Sequence, residues 1–137
     1  MASLSGNVTF STGLIATGTT QALALVIPVN SFYNEFDSVL AASSGCVLPV
    51  APVLGQGYRF RNNGDTSVNA LGVNLLIYPP ANAQISGTTA INLPYQISVG
   101  ACCELLAINA LTWHVINYTP PQFHLNYVIE IKLVYLH

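Results

Sequence analysis

The chain breaks its apolar residues into runs of a few positions, each closed by proline, glycine or asparagine, and this punctuation most limits the folds open to it. Helical periodicity never persists beyond a few residues, whereas short apolar runs bounded by turn residues recur throughout. That is the pattern of a β-sandwich or barrel, so the expected fold class is all-β.

Within residues 21–27 the side chains of Leu23, Leu25 and Ile27 share one strand face and Ala22, Ala24 and Val26 the other. Both faces read as buried, which places Leu23 and Leu25 in the expected core. Residues 36–42 and 46–48 follow as strands, the second stopped by Pro49. From Gly57, Tyr58 and Phe60 face one way and Arg59 and Arg61 the other, until the turn Asn62-Asn63-Gly64-Asp65. This alternation predicts a half-exposed strand.

Residues 71–78 form the next run, closed by Pro79-Pro80, and two short pieces at 90–93 and 97–99 are separated by Pro94. Gly100 opens a hairpin of 102–108 and 112–117 through Asn109-Ala110-Leu111, with Trp113 expected in the core. The last run, 127–136, alternates clearly. Ile129 and Ile131 lie on its core stripe, while Val128, Glu130, Lys132, Val134 and Leu136 form either a solvated face or a subunit interface with a central charge pair.

Only 6% of the residues are charged and 52% are hydrophobic, against roughly 25% charged in an average soluble domain. So few charges cannot cover an ordinary solvated surface. A membrane helix needs about 18 consecutive apolar residues, and the longest candidate, residues 22–29, is shorter and contains Pro28. That excludes a transmembrane helix and leaves a small outer-membrane β-barrel as the membrane alternative, and no membrane partner is expected. The opening Met1-Ala-Ser-Leu-Ser-Gly has no basic residue followed by an apolar run, which predicts no secretory leader.

Three cysteines, Cys46, Cys102 and Cys103, argue against a disulfide framework in an unsecreted chain, and Cys102 and Cys103 would point to opposite strand faces. They read as free thiols. His114, His124 and His137 lack the spacing of a zinc site, so no metal or other cofactor is expected, and a cupin-type enzyme is disfavoured. Arg59, Arg61 and Lys132 are too few for a phosphate-binding patch, which excludes nucleic acid as the expected partner.

Catalysis needs a nucleophile with a base, or paired carboxylates, yet Glu35, Asp37, Asp65, Glu104 and Glu130 are scattered. No catalytic residue is assigned. Glu104, in an apolar strand, needs a partner, which Arg59, Arg61 or a neighbouring subunit's basic group could supply. The remaining reading is a protein whose outside is largely covered by partners.

One stretch carries a resemblance. In order come Gly45-Cys-Val-Leu-Pro49, Tyr58-Arg-Phe-Arg-Asn62 with Gly64, Ala70-Leu71 leading into Ile77-Tyr78-Pro79-Pro80, Ile85-Ser-Gly87, Gly100 and Trp113. This order resembles the jelly-roll virion module of the tailed-bacteriophage capsid decoration, or cement, family. The resemblance implies a single-domain, jelly-roll-like antiparallel β-sandwich that assembles as a homotrimer on the major capsid protein, in the virion, after synthesis in the host bacterial cytoplasm. A tail or fibre component that binds a host glycan, stacking it on Trp113, is the alternative.

The implied organisation is an N-terminal arm at 1–19, a sandwich module at 20–117, and a linker and strand at 118–137. Val8, Phe10, Leu14 and Ile15 would give the arm something to bury on the capsid. The tail, opened by Tyr118-Thr-Pro120-Pro121, would pack on its own domain or a neighbour's.

Overall fold

The computed structural model describes residues 9–39, 44–64 and 73–121. Ten strands lie among them: β1 Thr9–Ala16, β2 Leu25–Val26, β3 Ser31–Val39, β4 Gly45–Val47, β5 Gly57–Asn62, β6 Leu75–Tyr78, β7 Gln84–Ile85, β8 Tyr95–Ile97, β9 Cys102–Asn109 and β10 Thr112–Thr119. They form a six-stranded sheet, β1-β3-β5-β9-β10-β7, and a four-stranded sheet, β2-β4-β6-β8. The all-β sandwich expected from the sequence is what forms.

The strand directions differ from the antiparallel expectation. Among the described strands β5–β9, β9–β10 and β6–β8 pair antiparallel, while β1–β3, β3–β5, β2–β4, β4–β6 and β7–β10 are parallel. Parallel neighbours need a crossover. In the first four of these parallel pairs, all but β7–β10, the crossover is a single strand of the opposite sheet, so the first six strands wind as three two-strand turns before β8, β9 and β10 add the antiparallel pairs.

The punctuation marks these turns. Val26 registers with Val47 and Val47 with Tyr78, so the prolines two residues later, Pro28, Pro49 and Pro80, leave the four-stranded sheet at equivalent points. Each lacks an N–H and ends the ladder there. Ile27 and Leu48 make the last bonds, donating to the carbonyls of Val47 and Tyr78 at 3.0 and 2.9 Å.

One core lies between the sheets. Phe36, Tyr58, Phe60, Leu105 and Trp113 enter it from the larger sheet, and Cys46, Leu75, Ile77 and Ile97 from the smaller one. Removing side chains of this size from water contributes about 1.5–3 kcal/mol each. Trp113 is 0% exposed, as expected of a core residue, with its ring edge-on to Tyr58 at 5.4 Å. Asn62 bridges the layers, its amide donating to the carbonyls of Val73 and Ile97 at 3.2 and 3.1 Å.

Several local expectations change. Residues 21–23 form a 3-10 turn, and Leu23, expected in the core, is 68% exposed. Leu25 is half-buried against the core, and the strand is reduced to β2 because the chain from Thr17 to Ala24 folds over the outer face of the smaller sheet. Residues 90–93, expected as a strand, form a turn in which the backbone N–H of Asn92 donates to the carbonyl of Ala83 at 2.9 Å. The expected arm at 1–19 does not stand apart as far as it is described: Thr9–Ala16 is the edge strand of the larger sheet, paired along β3. At the other boundary, β10 continues to Thr119 through the residues expected to start a linker.

Candidate functional site

The charges are concentrated on one surface. Tyr58 and Phe60 of β5 point into the core, so Arg59 and Arg61 project from the outer face of the six-stranded sheet. Glu104 lies between buried Cys103 and Leu105 on β9, and Glu35 and Asp37 flank buried Phe36 on β3. Every charged side chain among the described residues therefore occupies three adjacent strands of this face. Two arginines against three carboxylates leave it with a formal charge of −1.

Register organises these groups into rows. Phe10 on β1 pairs with Tyr33, Tyr33 with Arg59, Arg59 with Glu104, and Glu104 with Asn117 on β10. Beside it, Glu35 pairs with Arg61, Arg61 with Cys102, and Cys102 with Thr119. Arg59 Nε lies 3.5 Å from Glu104 Oε1, which realises the partner expected for Glu104. Arg61 Nε donates to Asn63 Oδ1 at 2.6 Å, and the amide of Asn63 donates to Glu35 at 2.6 Å and Asp37 at 3.1 Å.

A bulge completes the first row. Val115 registers with Leu105 and Asn117 with Glu104, which leaves Ile116 as an extra residue in β10. Strict alternation from buried Trp113 would turn Asn117 inward; the bulge places it on the outer face instead. No sequence pattern announced this reversal.

Two shallow clefts flank the row. One, of about 310 Å³, is bordered by Tyr33, Arg59, Arg61, Glu104, Asn117 and Thr119, and the other, of about 360 Å³, by Phe10, Tyr33, Gln56, Gly57, Arg59 and Glu104. Tyr33, Arg59 and Glu104 form the ridge they share. Phe10 is 74% exposed and meets Tyr33 edge-on at 6.5 Å, making an aromatic corner. Burial raises the Tyr33 phenol above its ordinary pKa, and the Glu35 carboxylate adds to the shift. The row combines an aromatic ring, a phenol, a guanidinium, a carboxylate and an amide, and no three His, Cys, Asp or Glu side chains among the described residues converge as metal ligands.

One end of the sandwich is its chemical opposite. There the three prolines leave the smaller sheet, and the connections 28–30, 48–56 and 79–83 meet the hairpin turn 109–111. Tyr58 ties this end together, its hydroxyl accepting from Val53 N at 3.0 Å and donating to the Val29 carbonyl at 2.6 Å. Gly55 N donates to the Ala107 carbonyl at 3.3 Å. The four connections contain no charged residue, and Val29, Val50, Val53, Leu54 and Leu111 are exposed on them, Val50 to 75%.

The expected contact residues of the arm separate. Phe10 and Ile15 are exposed, Leu14 packs against the core, and Val8 lies outside the described residues. The expected interface Val128, Glu130, Lys132, Val134 and Leu136, and the expected core residues Ile129 and Ile131, also lie outside them. Trp113, proposed as a sugar platform in the alternative reading, is sealed in the core and cannot stack on a ligand. Cys46 and Cys103 are buried free thiols and Cys102 faces outward, so the adjacent pair does divide between faces.

No family model matches the chain, and no curated protein matches it.

Proposed function

We propose that the chain is a non-enzymatic decoration, or cement, protein of a tailed-bacteriophage head, working as a homotrimer on the outer surface of the major capsid lattice. The observation that carries this reading is the uncharged end of the sandwich. Val29, Val50, Val53 and Leu54 are exposed there on proline-containing connections, with Leu111 exposed on the hairpin turn beside them. Exposed apolar surface gathered in one place is the mark of a protein contact.

The mechanism is mechanical. Apolar side chains on short connections tied to the sheets lose little freedom on docking, so burying them converts efficiently into binding. Spread over the junctions between lattice subunits, that burial holds the subunits against internal pressure. The order of motifs from Gly45 to Trp113 supplies the link to the decoration family.

Size-exclusion chromatography with light scattering, followed by addition of the chain to undecorated expanded heads, tests the proposal. A trimer that raises the temperature at which the heads rupture is expected, and Val50→Ser with Leu54→Ser should abolish that rise. A monomer that leaves rupture unchanged overturns the reading.

A further inference from the structure

We propose that the outer face of the six-stranded sheet carries a binding site for a neutral oligosaccharide, centred on the row Phe10, Tyr33, Arg59, Glu104 and Asn117. The site is independent of the cement reading. It uses the face that carries the charges, whereas head contacts are assigned to the uncharged end.

Three observations point to sugar. The first is the aromatic corner: Phe10 is largely exposed and Tyr33 borders both clefts, with their rings 62° apart at 6.5 Å. An exposed ring next to hydrogen-bonding groups offers a surface for the apolar C–H face of a pyranose, and the inclined second ring blocks its edge. The second is the polar complement in the same row. A guanidinium supplies donors in a planar fork, a carboxylate accepts, and an amide does both, which suits neighbouring hydroxyls that each donate and accept. Arg59, Glu104 and Asn117 provide one of each in consecutive register.

The third observation is charge. The face is formally −1, and Arg59 and Arg61 are engaged with Glu104 and Glu35 at 3.5 and 3.8 Å. A phosphate or sulfated chain would meet carboxylates beside every guanidinium, so the ligand is uncharged. Cleft size agrees: 310 and 360 Å³ stand at the small end of the roughly 300–1,000 Å³ of ligand sites. Two such clefts sharing one ridge suit a short oligosaccharide with a ring on either side.

Two features prepare the site. The Ile116 bulge brings Asn117 into the row. Gly57 leaves open the space where the Glu104 carboxylate lies, because a Cβ at residue 57 would collide with Glu104 Oε2. That atom ends a flexible side chain, so Gly57→Ala displaces the carboxylate while the strand remains.

Saturation-transfer difference NMR on the full chain with maltotriose, chitotriose and mannotriose tests the proposal, with inorganic phosphate as competitor. Saturation of pyranose ring protons by at least one trisaccharide is expected, undisturbed by phosphate. Phe10→Ser and Glu104→Gln should each weaken that sugar about tenfold, or roughly 1.4 kcal/mol. Gly57→Ala should weaken it less, and Leu54→Ser at the uncharged end should leave it unchanged. Since Phe10 is largely exposed and Glu104→Gln keeps the shape of a side chain that is 21% exposed, their variants should melt close to the wild type. Absence of transfer to all three sugars overturns the proposal, as does undiminished binding by both row variants or displacement by phosphate. Failure to stabilise phage heads would leave these outcomes untouched.

Discussion

The two sheets treat their outer faces in opposite ways. The six-stranded sheet sets on its outer face every charged side chain among the described residues. The four-stranded sheet has its outer face partly covered by the chain itself: Ala24, from the segment Thr17 to Ala24, forms a second small cluster with Leu76, Tyr78 and Val47. Gln21 fastens this cover, its side-chain amide donating to the Pro79 carbonyl at 2.7 Å and to Asn92 Oδ1 at 3.1 Å. The charges among the described residues thus gather on one outer face, while the other is partly covered by the chain's own apolar residues, with Leu23 and Val26 left exposed there.

If the covered face is structural and the charged face functional, substitutions on them must separate stability from binding. The largest loss is expected for Gly45→Ala. A Cβ at residue 45 would strike the carbonyl of Leu76 on the neighbouring strand β6, and backbone cannot rotate away as a side chain can. We expect about 3 kcal/mol of destabilisation in urea unfolding. A variant as stable as the wild type would show that β4 and β6 tolerate a wider spacing.

Leu76→Ala, beneath the chain's own cover, should cost about 2 kcal/mol by the same measurement. It should also speed proteolysis within residues 17–24. A loss without that local effect would mean that the cover is held by Gln21 rather than by the apolar cluster.

Alkaline pH probes the interior between the faces. Burial raises the Cys46 thiol well above its ordinary value and pushes Cys103 up to about 12, with the neighbouring Cys102 and Glu104 adding to the second shift. The folded state thus holds thiol protons that the unfolded chain releases from about pH 9. Stability should be unaffected by these groups below that value and should fall as pH rises from 9 toward 12. Unfolding midpoints of the wild type and Cys103→Ala across that window check the sign, and equal slopes would exclude Cys103 as a cause.

Arg59→Ala should give the smallest change in stability, below about 1 kcal/mol, because the Arg59 side chain is itself 65% exposed. Its effect should appear instead in trisaccharide affinity. A melting temperature that falls as far as for Leu76→Ala would erase the distinction between the two faces.

Much of the fold was legible because β-structure has a period of two and proline has no N–H. Tyr58-Arg59-Phe60-Arg61 declared its inner and outer faces, and so did Cys102 and Cys103. The need for a cationic partner to Glu104 followed from the cost of an unpartnered carboxylate in an apolar strand, and register chose Arg59 over Arg61. Leu23 was misread because Leu23, Leu25 and Ile27 fit a strand stripe as well as any sequence can. Tertiary context replaced it with a 3-10 turn on the outside of the smaller sheet. Gly18, with φ of 77°, bends the chain there, and a Cβ on it would strike the backbone of Leu23 and Ala24.

By itself the sequence determined the class of structure, the residues that end its strands, and the side of each strong strand that faces the core. All of these depend on neighbours along the chain. Strand direction, the three two-strand turns and the row from Phe10 to Asn117 were decided only in three dimensions. Pairing joins residues distant in sequence, and a single bulge at Ile116 reverses which side chain meets solvent. The recurring prolines Pro28, Pro49 and Pro80 were present in the sequence throughout, but their equivalence became visible only when register placed them side by side.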